Sequence, residues 1–414
     1  MDKKIYAVIA VIIVVVAAVA VYFAVGNNNG NDNSDDEGLS IIARVNTDGS
    51  GLFLKAGENV SDYITVVNEE PNSGAYFGGE GEWIVFNPEA WGGKVIGTPG
   101  AATIQHVQLG QIAEAMGLNY AQYTVGQPTN SDTLYYIPSV SSYALFESTL
   151  NTTPALLGAI VWEPQYSVAL QDGCVGIATT NQLFPGHTCC VVGADNAYVN
   201  SHQDETVRFM AAYIESVNRL NAAIQSGSGD AYDEVIQCAL DNVAMPSGMS
   251  DEDKIAAIEA AFELVVYKYA DSTEVSDNPL ADLEADVADL AVQFYEGGQV
   301  SRSYSDLGFS SPEDLASKFV NESFIKDAMT YEKQDSYNTA NITVAVIGGD
   351  IHQLAIHYGM ELNIFEDYGI NITISSQNNG PAVFTALSNG NAQFGFIGVP
   401  PMTINSMNSG AISA

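Results

Sequence analysis

ITVAVIGGDIHQLAIHYGMELNIFEDYGINITISSQNNGPAVFTALSNGNAQFGFIGVPP, residues 342–401, is the stretch that decides the fold. Residues 343–346 form an apolar, β-branched run of the kind that makes a buried strand, and Gly348-Gly349-Asp350 ends it. A helix is expected over 352–360. Residues 370–374 read as a second strand, closed by Gln377-Asn378-Asn379-Gly380. Pro381 then opens a helix reaching residue 387, because a proline at the first helical position gives up an N–H that has no partner there anyway. A third strand at 394–397 runs into Gly398-Val399-Pro400-Pro401 and another helix. Repeated strand, loop and helix units predict a parallel sheet with helices on both faces.

Residues 94–118 repeat the pattern: a short strand, the loop Gly97-Thr98-Pro99-Gly100, and an amphipathic helix carrying Ile104, Val107, Ile112 and Met116. Further strands are expected at 123–125 and 157–161. From 205 to 329 the periodicity lengthens, and helices are predicted over 207–224, 231–243, 254–269 and 280–295.

The chain has 414 residues, enough for two or three domain-sized units, and 47% of them are hydrophobic. Fifty acidic against thirteen basic side chains give a formal charge of -37, which repels nucleic acid and anionic lipid. Residues 5–25 carry no charge, and at 1.5 Å per residue they span a bilayer core of roughly 30 Å. Lys3 and Lys4 precede this run and acidic residues follow it, so the positive-inside rule predicts a single-pass anchor with everything after Val25 outside the cell membrane. A cleaved signal peptide is the competing reading. Residues 26–38 have the composition of a flexible linker, and sequons at Asn59, Asn151, Asn321, Asn341 and Asn371 agree with an external location. Four cysteines, Cys174, Cys189, Cys190 and Cys238, are too irregularly spaced for a disulfide framework or a zinc site. Adjacent cysteines on a strand point to opposite faces, so no metal centre and no cofactor are expected.

The passage quoted above, from V-I-G-G-D-I-H-Q-L to F-G-F-I-G-V-P-P, resembles the opening of the nitrate/sulfonate/taurine-type solute-binding proteins of ABC transporters, which are related to the thiamine-pyrimidine-precursor-binding family. Further marks of that family stand earlier in this chain: G-G-K-V-I-G-T-P-G-A-A-T-I-Q-H-V-Q-L from Gly92, V-W-E-P from Val161 and P-G-H-T-C-C-V-V from Pro185. The order is rotated, and joining N-S-G-A-I-S-A at the end to residue 39 onward restores the family's continuous passage. The resemblance therefore implies an α/β, two-lobe periplasmic-binding-protein-like fold of type II, circularly permuted, with an N-terminal transmembrane helix. Residues 39–54 would cross from lobe 1 to lobe 2, 55–192 form lobe 2, 193–340 return as helices to lobe 1, and 341–414 form the lobe 1 core. It implies capture of a small organic or oxyanionic solute for a permease and its ATPase, with no catalysis. Two alternatives are a synthase-like enzyme of the thiamine-precursor kind, whose cysteine-rich iron motif is here only a pair, and a membrane-tethered ligand sensor.

Ligands of such sheets collect beyond the carboxyl ends of the strands, where helix N-termini offer unpaired N–H groups to an anion. That rule selects Gly349, Asp350, His352, Asn378, Asn379, Gly380, Gly398 and Pro400 from one lobe, faced by Thr98, Gly100, Ala101 and Thr103 from the other. Trp162 would close one wall. Each glycine also has a plain reading as a turn residue, each asparagine as a cap, and His106 is either a site residue or a core histidine. Few lysines or arginines lie near these loops, which favours neutral donors and leaves a neutral or zwitterionic solute open.

Overall fold

The computed structural model describes residues 38–79 and 81–412. The predicted anchor at 5–25 and nearly all of the linker lie outside the described residues; among those described, no helix is long and apolar enough to cross a membrane.

Among the described residues, fifteen strands follow one another as β1 (Leu39–Asp48), β2 (Ser50–Leu54), β3 (Ile64–Val67), β4 (Tyr76–Gly79), β5 (Glu82–Phe86), β6 (Val95–Thr98), β7 (Asn119–Gln122), β8 (Thr133–Pro138), β9 (Leu156–Trp162), β10 (Val175–Thr179), β11 (Thr188–Asp195), β12 (Val265–Tyr267), β13 (Ala340–Ile347), β14 (Ile370–Gln377) and β15 (Phe394–Gly398). They form a first sheet of order β12-β1-β11-β15-β13-β14, a second of order β10-β2-β9-β6-β8-β7, and a small antiparallel sheet β3-β5-β4. The protein is thus α/β with mixed sheets. The expectation of a purely parallel sheet is corrected: β13 runs parallel to β14 and β15, but β11 is antiparallel to both β1 and β15. Parallel neighbours need a crossover connection, such as the helices between β13, β14 and β15, and β11 enters this sheet from the second sheet instead. Strands β1 and β2 follow each other across a two-sheet junction, and each pairs with a strand that arrives from elsewhere in the chain.

Helices of the first sheet form because their apolar positions recur at three and four. The 24-residue helix Gln203–Ser226 buries Phe209, Met210, Tyr213, Val217 and Leu220 on one side, carries Asp204 and Glu205 in its first turn, and stops at Gly227, whose φ is 63°. Phe209 stacks on Phe394 of β15 with ring centroids 4.2 Å apart. Between residues 254 and 269 the predicted single helix ends at Phe262, and Val265–Tyr267 pairs instead with residues 46–48 of β1. This short β-branched segment takes the open edge of β1, and the Tyr267 hydroxyl donates to the Ile351 carbonyl at 2.8 Å. The second sheet has its own apolar layers, among them Leu52, Ile96, Leu109, Ile112 and Trp91 on one side and Phe53, Val95, Phe146 and Val161 on the other.

The chain passes between the two six-stranded sheets twice among the described residues, through Asp48-Gly49 and through residues 180–187. The two passages lie side by side. Asp48 N donates to His187 O at 3.2 Å, Gly186 N to Asp48 Oδ1 at 3.1 Å, and Ser50 N to Thr180 Oγ1 at 3.2 Å. Leu39 N, at the beginning of β1, donates to Ala411 O at 2.7 Å, so the two ends of the described fold touch.

Candidate functional site

A cavity of about 570 Å³ opens where loops of the two sheets face each other. The first sheet contributes the loops after β13, β14 and β15, with Asp350, His352, Asn378, Asn379, Gly380, Gly398 and Pro400. The second contributes the loop after β6, with Gly100, Ala101 and Thr103, and Trp162 at the end of β9. Three helices begin at its wall: Ile104–Ala115, Gly380–Ser388 and Val399–Ser409. Pro381, Pro400 and Pro401 carry no N–H and the caps take His106 N and Ala382 N, so the first-turn donors left to the wall are those of Ile104, Gln105, Gly380 and Val399, each at a helix end with positive partial charge. A larger and shallower hollow of about 680 Å³, bordered by Glu215, Arg219, Tyr331 and Tyr358, holds none of these residues.

Two of the residues expected at the site lie outside the cavity. Thr98 is fully buried in β6, and its hydroxyl has no hydrogen-bond partner. Gly349 backs onto the helix Asp230–Asn242 side of the first sheet: its φ is 80°, a Cβ there would stand 2.5 Å from that of Ala244, and its carbonyl accepts Ala244 N at 2.9 Å. It is a turn residue under close approach. Gly380 lines the cavity for a similar reason, since a Cβ would stand 2.6 Å from Pro401 Cγ. Thr103 and Asn379 serve as caps. Thr103 Oγ1 donates to Gly100 O at 2.8 Å and accepts from His106 N, while Asn379 Oδ1 accepts Ala382 N at 3.0 Å and leaves its amide nitrogen for a ligand. His106 belongs to the core, against Tyr120 and Tyr136, and burial pushes it down to about 4.

The charged lining consists of Asp350 and His352, held to each other at 2.7 Å through Oδ1 and Nδ1. His352 Nε2 reaches the Gly49 carbonyl at 3.1 Å, so both ring nitrogens are engaged. Burial opposes charge on this ring, but Asp350, Cys189 and the Gly49 carbonyl outweigh it and push the imidazole up to about 9. The Gly49 carbonyl also accepts Glu163 N at 2.9 Å. Glu163 itself is fully buried, bound to Ser167, and burial pushes it up to about 7.

Sequence reasoning missed Cys189 and Cys190, both of which border the cavity, because adjacent strand residues were expected to diverge. The pairing of β1 with β11 steps from Asn46 opposite Cys190 to Thr47 opposite Thr188, leaving Cys189 unopposed. Such a bulge re-aims one side chain, and the two sulfurs come within 3.8 Å. No local signal marks the bulge, which is set by the partner strand. Gln105 and Ser141 also border the cavity. Gln105 is buried one position inside its helix and donates to Ser50 Oγ at 2.8 Å.

Cys189 is held below the ordinary thiol value by the hydrogen bond with Cys190, against burial, with His352 and His187 adding to the effect. This gives a stability prediction. His352 is raised in the folded state, so its contribution is complete below pH 6.5 and vanishes as pH rises through about 9. The lowered Cys189 works in the opposite sense, contributing above its unfolded value and losing that contribution as pH falls. Glu163 is common to both proteins compared. Cys189→Ser is therefore expected to lose more stability than wild type as pH rises above 6.5 in urea unfolding. Parallel stability curves would contradict it.

No protein-family model, no curated protein and no solved structure matches this chain.

Proposed function

We propose that the chain is the extracytoplasmic solute-binding component of an ABC importer, a circularly permuted type II periplasmic-binding-protein-like fold anchored through residues 5–25. It holds a small organic or oxyanionic solute between the two sheets and presents it to a permease and its ATPase, without altering it. The observation that carries this reading is the cavity lined from both sheets, with the N-termini of three helices at its wall. Its charged lining is a paired Asp350 and His352 with no lysine or arginine, which suits a neutral, zwitterionic or singly charged solute bound by N–H, amide and hydroxyl groups. The Leu39 to Ala411 contact and the passage of the chain from β1 into β2 support the permuted order.

Mass spectrometry of small molecules released from the purified protein tests the reading directly. A bound solute recovered intact is expected; a chemically altered one would favour an enzyme. Calorimetry with that solute then locates the site. Asn379→Asp keeps the cap oxygen but loses the amide donor, and Thr103→Val loses the hydroxyl; each is expected to weaken binding by about 1 to 3 kcal/mol. Because Thr103 caps its helix, Thr103→Val also lowers stability without ligand by about 1 kcal/mol, whereas Thr103→Ser does not. Unchanged affinity in both Asn379→Asp and Thr103→Val would remove the site from these loops.

A further inference from the structure

We propose that Cys189 and Cys190 form a thiol–disulfide site in the wall of the cavity, closed into a vicinal disulfide by a small neutral disulfide. This goes beyond solute capture and does not rest on it.

The geometry is that of the bulge in β11. Cys189 has no residue opposite it on β1, both cysteines border the cavity, and the sulfurs are 3.8 Å apart; because neighbouring Cα atoms stand about 3.8 Å apart, below the usual disulfide range, the ring closes by twisting the Cys189–Cys190 peptide, which the bulge leaves unpaired on the Cys189 side. The surroundings favour a thiolate. His352, fixed by Asp350 and the Gly49 carbonyl and held above the ordinary histidine value, and His187, paired with Asp48 at 3.3 Å, both favour the Cys189 thiolate. Cys174 and Cys238 have no such neighbours; burial raises both thiols.

The reaction balances as two exchanges. The Cys189 thiolate attacks one sulfur of the small disulfide, forms a mixed disulfide and releases one thiolate. Cys190 then gives its proton to that thiolate, attacks Cys189 Sγ, and expels the second thiolate, which takes from solvent the proton Cys189 lost on ionising. The protein is oxidised by two electrons and the small disulfide is reduced to two thiols. The charge of -37 disfavours anionic disulfides, so the reagent class is neutral.

The test uses reduced protein and bis(2-hydroxyethyl) disulfide at neutral pH, read by intact mass and peptide mapping. Expected is a loss of two hydrogens located in the Cys189-Cys190 peptide, with Cys174 and Cys238 still free. Cys190→Ser is expected to stop at a mercaptoethanol adduct on Cys189, and Cys189→Ser to leave Cys190 unmodified. The proposal is overturned if wild-type protein keeps both thiols, retains the adduct instead of resolving it, or reacts first at Cys174. Solute binding plays no part in this readout, so its failure leaves the transport reading where it stood.

Discussion

Gly49→Ala is expected to lower stability by about 2 to 5 kcal/mol and to return His352 toward an ordinary histidine. The backbone at Gly49 has a φ of 88°, a region that costs an L side chain about 1 to 2 kcal/mol. A Cβ there would also stand 2.6 Å from His352 Nε2 and 2.9 Å from Val265 Cγ2. Asp48 beside it already has a φ of 62°, so the turn has little freedom to absorb the change. Displacing the ring breaks its bond to the Gly49 carbonyl, one of the contacts that keep it charged. Urea unfolding measures the first effect, and NMR titration of the His352 ring measures the second. A variant as stable as wild type, with the ring still titrating near pH 9, would show that the junction is looser than its geometry.

The other large effect is expected at Arg44. This guanidinium lies 2% exposed in the middle of β1, with Nε 2.6 Å from Asp271, Nη1 3.8 Å from Asp286, and Thr188 as a further partner. Arg44→Met leaves two carboxylates, 13% and 39% exposed, without their cation, and a loss of about 1 to 3 kcal/mol follows from removing charged hydrogen bonds to partly solvated groups. Asp271→Asn in the same chain removes the stranded group nearest to it. The double variant is therefore expected to be more stable than Arg44→Met alone, by about 1 kcal/mol or more. Denaturant midpoints of the four proteins in the cycle decide this; strict additivity would mean that Asp271 draws no support from Arg44.

What the sequence makes legible here is what neighbouring residues determine. Pro381 after Asn379-Gly380, and Pro400-Pro401 after Gly398, mark helix openings, and the helices begin there. The loops so marked come together at one cavity because each follows a strand of one sheet or the other. Pairing between distant segments is another matter. Residues 265–267 continue a helical pattern until the free edge of β1 competes for them, and β11 is antiparallel because of where the chain arrives from. The β3-β5-β4 sheet, and β8 at 133–138, went unseen for the same reason, and β7 falls a few residues before the expected 123–125. Thr98 and Gly349 illustrate a finer limit. Both sit in loops or strand ends that reach the cavity, yet one side chain turns into the core and the other backbone is committed to Ala244.

The paired passages at Asp48-Gly49 and at residues 180–187 act like two pins set in one line. Hydrogen bonds tie each passage to the other, so sliding or twisting one sheet against its neighbour would stretch both at once, whereas bending about their common line stretches neither. Other links across the gap include Gln165 Nε2 to Ala244 O at 3.3 Å, Gln111 to Gln293 at 3.3 Å and Asn181 Nδ2 to Leu264 O at 2.9 Å, with Leu264 packed against an apolar layer of the second sheet. Thr103 and Asn379 line the gap from its two sides. Gly49 sits in the first of these passages and its carbonyl holds both Glu163 N and His352 Nε2, so a change at this one residue is felt on both sheets at once.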